Sequence, residues 1–492
     1  MDQDAPTGRQ PEANDTGAAG SALPGAAMGA SGETPWGADP HQHVVGLGDA
    51  RAPRWRRARG SLAASPPGRA AAEVGRLLAA GLSDPAAVLP VAFIVAFVLR
   101  VAWLDQPPHA LIFDEAYYVQ AARALLGWPI PAGAHYAGSP IGIDPNTEHP
   151  PLGKVLMAAS MFLFGDNGIG WRVPSVFAGM VCLYAAYQIV RACRETSWFG
   201  IAVVVALALE NLTLVHSRIA TLDILFLAPL LVGSWMALRG RWLLAGIAMG
   251  VGLLVKLPAI YGVGAVGLLH LLERGPDWWR TRRVPLRELR PMVVFVLATA
   301  VVWVGGLAVL DARFSSYANP IDHIAHMIQY GSDLAGSVAR TQHCPGPESL
   351  PWQWLFNDCQ ITYLRVDVTV SAGSTVISSD PSIDFRGAMN PILVGLIPIS
   401  MLFAAWYAWR ADSRMARWAV TWAAANYLPF VLLALVSRRV MYLYYMLPTI
   451  PALAVAAVLL LWRSGLPKPV RWGLVAAYVV AFLAYYPFRR IP

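Results

Sequence analysis

Two adjacent carboxylates, Asp114 and Glu115, open an apolar helical period that runs through Ala121 and Leu125. A little further on, Glu148-His149-Pro150-Pro151-Leu152-Gly153-Lys154 carries a histidine and a lysine to the head of a second apolar stretch. A carboxylate at a helix start can take a proton from a hydroxyl, a service worth roughly 10² to 10⁴ in rate. Cations such as Lys154 and Arg172 suit oxygens on which charge develops, Arg as a bidentate fork and Lys as a point charge. Plainer readings stand beside these. An Asp-Glu pair also serves as an N-cap with charges that favour the helix dipole, Pro150-Pro151 also starts a helix after a rigid turn, and long cationic side chains also snorkel to lipid headgroups.

Further candidates are scattered along the chain. Arg218 and Asp223 flank the start of one apolar run, Lys256 interrupts another, and Arg438 and Arg439 precede a third. A charge inside a bilayer costs on the order of 3 kcal/mol or more, so such residues line cavities or pair with one another. An Arg218 to Asp223 ion pair is the structural alternative to a role in binding. Trp352 and Trp354 suit stacking on a sugar or a peptide, and equally an interfacial aromatic belt. Of the four cysteines, Cys182 and Cys193 fall in or beside an apolar run, whereas Cys344 and Cys359 share one loop and are free to form a disulfide in an oxidising compartment. No Cys/His spacing resembles a zinc site.

The elements that must position these residues are membrane spans. The 492 residues are 56% hydrophobic and 14% charged, against roughly 25% charged in a soluble domain. With a mean hydropathy of +0.47, a water-soluble globule is excluded. Apolar stretches lie at 86–104, 174–192, 199–215, 219–238, 242–255, 258–272, 291–310, 391–409, 418–436, 440–462 and 471–487, which predicts an all-α polytopic protein of about eleven spans. Lys256-Leu257-Pro258 divides 242–272 into two short spans. That division puts the arginines at 191–194, 239–241, 274–290, 410–417 and 463–471 on one side, the side of the N-terminus, as the positive-inside tendency requires. Residues 1–83, rich in Gly, Ala, Pro and Ser, read as a disordered cytoplasmic tail, and 84–492 as the membrane domain, with its C-terminus outside. The basic cluster at Arg51–Arg59 sets topology, or binds nucleic acid or anionic lipid. Two long segments, 105–171 and 311–390, then face away from the cytoplasm, and 155–164, too short to span, is expected as an interfacial helix.

Taken in order, the pieces resemble the protein O-mannosyltransferase family, whose members have the GT-C membrane fold. Asp114-Glu115-x-x-Tyr118, His149-Pro150-Pro151-Leu152-Gly153-Lys154 and Trp171-Arg172-Val173-Pro174-Ser175 are similar to its first outer loop. Ser217-Arg218 through Leu222-Asp223, Gly252 through Lys256, Leu350-Pro351-Trp352-Gln353-Trp354 and Arg439 through Pro448 are similar to its later elements. His343-Cys344-Pro345 stands where the family has His-Pro-Tyr, and 311–390 has no room for the sugar-binding insert of eukaryotic members.

The resemblance implies a bacterial enzyme of the plasma membrane that moves mannose from polyprenyl phosphate mannose to Ser or Thr hydroxyls of exported proteins, with inversion. Asp114 would be the base, and Glu115 would orient sugar or acceptor, or hold a divalent cation. Lys154, Arg172, Arg218, Arg438 and Arg439 would bind the donor phosphate, with His149, Asp223, Lys256 and Trp352 as further site residues. Expected partners are the lipid donor, the exported acceptors, membrane lipids and the Sec translocon, and not nucleic acid. The alternatives are a GT-C transferase acting on a lipid or cell-wall polymer and, from another class, a transporter, which would show paired repeats with midplane charges.

Overall fold

A computed structural model describes residues 83–334, 344, 346–372, 375–437 and 439–489. All but the last residue of the expected 1–83 tail, and Arg438, lie outside the described residues. The described part is mostly helical. In chain order the helices are α1 (Pro85–Val101), α2 (Glu115–Leu126), α3 (Leu152–Phe164), α4 (Gly168–Ala192), α5 (Ser197–Ala208), α6 (Asn211–His216), α7 (Leu222–Leu238), α8 (Trp242–Leu253) and α9 (Ile260–Thr281). Next come α10 (Leu286–Ala300), continued through a π segment, Val301–Gly305, into α11 (Gly306–Phe314), then α12 (Pro320–Asp333) and the single turn α13 (Pro351–Trp354). After the strands β1 (Ile361–Ala372) and β2 (Thr375–Gly387) follow α14 (Pro391–Arg410), α15 (Arg414–Val436), α16 (Ile450–Arg463) and α17 (Lys468–Ala484).

Every apolar stretch in the sequence contains α-helix, and Gly168–Ala192, Leu286–Phe314, Pro391–Arg410 and Arg414–Val436 are long and apolar enough to cross a bilayer on their own. Large apolar side chains such as Phe177, Leu297, Leu402 and Leu432 stand exposed on these helices, as a hydrocarbon solvent allows. α16 lies at the centre, with every residue from Ile450 to Leu460 buried.

Three differences from the sequence reading have local causes. The stretch 199–215 is two helices, because buried Glu210 breaks it and caps α6, accepting from the backbone N–H groups of Leu212 (3.2 Å) and Thr213 (2.6 Å). The stretch 440–462 becomes α-helix only at Ile450: the chain is extended at Tyr442, then passes through a 3₁₀ turn at Leu443–Met446 and a further turn at 447–449 that contains Pro448. The all-α expectation is corrected by the antiparallel hairpin β1–β2, with Ile361 opposite Gly387 and Leu364 opposite Phe385. Its β-branched, alternating run Val366, Val368, Val370 is a strand signal inside what was read as an outer loop.

Two joints position the site. At Lys256 the chain leaves α8 in extended conformation before a 3₁₀ turn at Leu257–Ala259 starts α9, so the lysine sits in a break between helices. At Gly153 the head of α3 meets the head of α7 so closely that a Cβ would collide with the Leu222 side chain, so glycine there permits the close approach of the two helices.

Candidate active site

Asp114 stands at the head of α2 but makes no side-chain capping bond, leaving its half-buried carboxylate free for other work. Glu115, fully buried, does the structural task. It accepts from the backbone N–H groups of Ile112 (2.7 Å) and Ala220 (2.8 Å) and pairs with Arg172 through Nε–Oε1 (2.8 Å) and Nη2–Oε2 (2.9 Å). Arg172 gives its remaining N–H groups to the carbonyls of Leu104, Gln106 and Ala110. All five of its donors are engaged, and Arg172, expected from the resemblance as a donor-phosphate ligand, clamps the first outer loop to Glu115. Glu115 in turn braces this loop.

Lys154 is likewise buried and saturated. Its Nζ pairs with Asp144 at 2.7 Å and donates to Asn146 and to the His149 carbonyl, which folds 144–154 around the start of α3. Arg218 donates to the Leu99 and Ala102 carbonyls at the end of α1 and lies over the Phe488 ring. Both residues, expected as phosphate ligands, are thus held by neighbouring groups, with the buried Nε of Arg218 left without a hydrogen-bond partner among the described residues. Nor does Arg218 pair with Asp223. The partner of Asp223 is Lys256, Nζ–Oδ1 2.8 Å, with both side chains nearly buried and Asp223 Oδ2 left without a hydrogen-bond partner among the described residues.

This ion pair borders an aromatic wall. Lys256 Nζ lies 5.5 Å from the Tyr444 ring, Tyr444 meets Phe113 edge-on (5.5 Å), and Phe113 stacks on Tyr363 of β1 at 4.2 Å. Tyr363 Oη is 3.0 Å from His216 Nε2. The hairpin base thus covers the residue before Asp114. Phe113, Tyr363 and Tyr444 are not among the site residues expected from the sequence, since an aromatic carries no signal of its role until its partners are known.

The electrostatics converge on the same place. Burial pushes the Asp114 carboxyl up to about 7, with Lys256 pulling it down and Asp223 pushing it up. His149 is held well below its ordinary range by burial and then by Lys256, Lys154 and Arg439, so it is a neutral imidazole beside a cationic surface. Arg439, next to Gly331 of α12, forms no ion pair among the described residues, and its buried Nε has no hydrogen-bond partner. Lys154 and Arg172, by contrast, are each held in an ion pair, with Asp144 and Glu115. Trp352 is exposed, whereas Trp354 is buried, donates to Ser349 Oγ (2.8 Å) and packs on Phe430 and Tyr445.

Cys344 and Cys359 are joined in a disulfide with Cα atoms 5.1 Å apart, fastening the chain ahead of α13 to the start of β1. The grouping of three ligand-type side chains found among the described residues is this pair with Asp358, and its two sulfurs are bonded to each other. Beside Asp114 and Asp223, the Lys256 ammonium supplies the positive charge that a divalent ion would bring, so these residues are a poor fit for a metal.

Residues 148–304 match the family profile described as dolichyl-phosphate-mannose-protein mannosyltransferase. The polyprenol-phosphate-mannose–protein mannosyltransferase of Corynebacterium glutamicum is 25% identical over 453 residues, covering 76% of this chain and 84% of that one. The enzyme of the same name from Mycolicibacterium smegmatis is 30% identical over 149 residues, 29% of this chain and 27% of that one. In fold, the chain is similar to the S. cerevisiae protein O-mannosyltransferase Pmt1-Pmt2 complex bound to the sugar donor, with a TM-score of 0.59 at 11% identity over 82% of this chain and 90% of that one. The profile match over about a third of the chain, the relative aligned along most of both chains and the similar fold point the same way: the chain is similar to the dolichyl-phosphate-mannose-protein mannosyltransferases.

Proposed function

We propose that the chain transfers mannose from polyprenyl phosphate mannose to Ser or Thr hydroxyls of exported proteins at the outer face of a bacterial plasma membrane, with inversion at the anomeric carbon. In this reading Asp114 takes the acceptor proton while the hydroxyl oxygen bonds to the anomeric carbon from the face opposite the phosphate. The bond to the phosphate oxygen breaks with its electron pair, and polyprenyl phosphate leaves. The phosphate is already a stable anion, so one base suffices and no acid is required, unlike glycoside hydrolysis with its two carboxylates. Arg439, whose buried Nε has no partner among the described residues, receives the phosphate. Asp223 Oδ2, buried and unpartnered, offers an acceptor to a sugar hydroxyl, while Lys256 holds its other oxygen. The 1–83 tail and the arginine-rich helix ends lie in the cytoplasm, and 105–171 and 311–390 outside.

The observation that carries the reading is the state of Asp114: uncapped, accessible and with a proton affinity near neutrality, where a general base works best. Purified enzyme reconstituted in vesicles, given polyprenyl phosphate mannose and a Ser/Thr-rich peptide, tests it by mass spectrometry of the peptide. Asp114→Asn is expected to lower turnover by about 10² or more with donor binding retained. Near-normal turnover in this variant sinks the assignment.

A further inference from the structure

At the far side from Asp114 the helices leave a second cavity that the transfer reaction does not use. It has a volume of about 500 Å³ and lies between α5, α14, α16 and α17. Its wall is almost wholly apolar, with Ile201, Val205, Leu396, Val458 and Val475 among the lining residues. One end is different. There Lys468 and Arg471 meet Trp198, Trp462 and Trp472, the combination of cations and indoles found at lipid headgroup depth.

That end is remote from the site. The C-terminal half of α17 is tied to the site side, where the Phe482 carbonyl accepts from Asn211 and Tyr486 Oη lies 3.3 Å from the Leu99 carbonyl. Lys468 begins the same helix, whose 17 residues rise about 25 Å. From Lys468 to Val479 the lining residues of α17 cover about 17 Å, slightly more than half of the roughly 30 Å hydrocarbon core. The slot is therefore as deep as one leaflet. Its two cations are free to take an anion: Lys468 is exposed and makes no ion pair among the described residues, and of Arg471 the described bond is from Nε to the Leu466 carbonyl.

We propose that this slot binds one anionic glycerophospholipid, an acyl chain lying between α17 and its neighbours and the headgroup phosphate held by Lys468 and Arg471. A lipid with its phosphate there cannot be the sugar donor in reaction, whose phosphate must lie near Asp114 about 25 Å away along α17. The bound lipid would fasten α17 to the core across a gap that protein side chains leave open.

The test uses the full chain, purified in mild detergent, with native mass spectrometry of retained lipid. One anionic phospholipid per chain is expected for the unmodified protein. Lys468→Ala combined with Arg471→Ala is expected to weaken its retention roughly 30-fold, as loss of two cations at headgroup depth implies. Val475→Trp, which fills the slot without touching charge, should abolish it. A second arm needs no variant: delipidated protein should gain thermal stability from phosphatidylglycerol and not from phosphatidylcholine or inorganic phosphate. Equal retention by all three proteins, retention of a zwitterionic lipid or of polyprenyl phosphate in its place, or a stability gain from phosphatidylcholine as large as that from phosphatidylglycerol would each overturn the proposal.

Discussion

Glu115 and Arg172, 57 positions apart, meet through two parallel hydrogen bonds with both side chains buried, while Asp114, the immediate neighbour of Glu115, keeps a free carboxylate. Of two like residues side by side, one is thus tied into the fold and the other is not. The division follows from helix geometry, since adjacent positions point about 100° apart and only one of them can face α4.

From this clamp follows a separation of effects. Arg172→Ala leaves Glu115 buried and uncompensated and is expected to cost about 3–5 kcal/mol in unfolding free energy. Arg172→Lys recovers only part of this, having lost the fork. Detergent-resistant unfolding followed by intrinsic fluorescence reads the loss. Activity that falls through a higher donor KM with unchanged stability would return Arg172 to the phosphate.

The Asp114 carboxyl, raised from its ordinary 3.8 to about 7, sets two pH dependences of opposite sense. Turnover needs the ionised base and should rise as pH passes through about 7, a limb that Asp114→Asn removes. Stability runs the other way. The folded state holds this proton more tightly than the unfolded chain, so its contribution is full below the ordinary value and is lost as pH climbs towards 7. Unfolding scans of both proteins between those values check the second arm.

Lys256 and Asp223 act on Asp114 with opposite signs, which makes them separable. Lys256→Met should move the midpoint of the rate profile to higher pH, and Asp223→Asn to lower pH. Both variants are destabilised, because each strands one member of a nearly buried pair. Midpoints moving in the same direction would show that the pair acts through packing alone.

The disulfide closes a separation of 15 residues, for which chain entropy gives on the order of 3 kcal/mol. Cys359→Ser should lower stability by about that amount or less, and reductant should make Cys344 reactive to a thiol label in the unmodified protein while leaving buried Cys182 and Cys193 unlabelled.

The spans were legible because hydrocarbon solvent demands long apolar runs, and Lys256-Leu257-Pro258 announced its break by a charge and a proline together. The fate of each cation was not. Arg172, Lys154 and Arg218 look alike in sequence, yet what engages them is chiefly backbone carbonyl at Leu104, Ala110, His149 and Leu99, groups that every residue carries and no pattern marks. The hairpin is hidden for a different reason: the alternation of Val366, Val368 and Val370 is short and lies between apolar runs long enough to dominate the pattern.

Arg439 carries the remaining prediction. It stands on the side where positive charge is disfavoured if the arginine-rich helix ends are cytoplasmic, which calls for a counter-charge. None is found among the described residues: its buried Nε lacks a partner, and its guanidinium lies beside Gly331. A buried N–H without an acceptor is costly, and a phosphate supplies two oxygens at the spacing of the guanidinium fork. Arg439→Ala should therefore raise donor KM and lower kcat together, since the phosphate gains charge as the sugar departs, by roughly 10² or more in kcat/KM. Removing an unsatisfied donor should at the same time leave stability unchanged or improved, the reverse of Arg172→Ala. Donor titration and thermal unfolding on the same preparations decide it: a destabilised Arg439→Ala with normal donor KM would make Arg439 one more structural clamp.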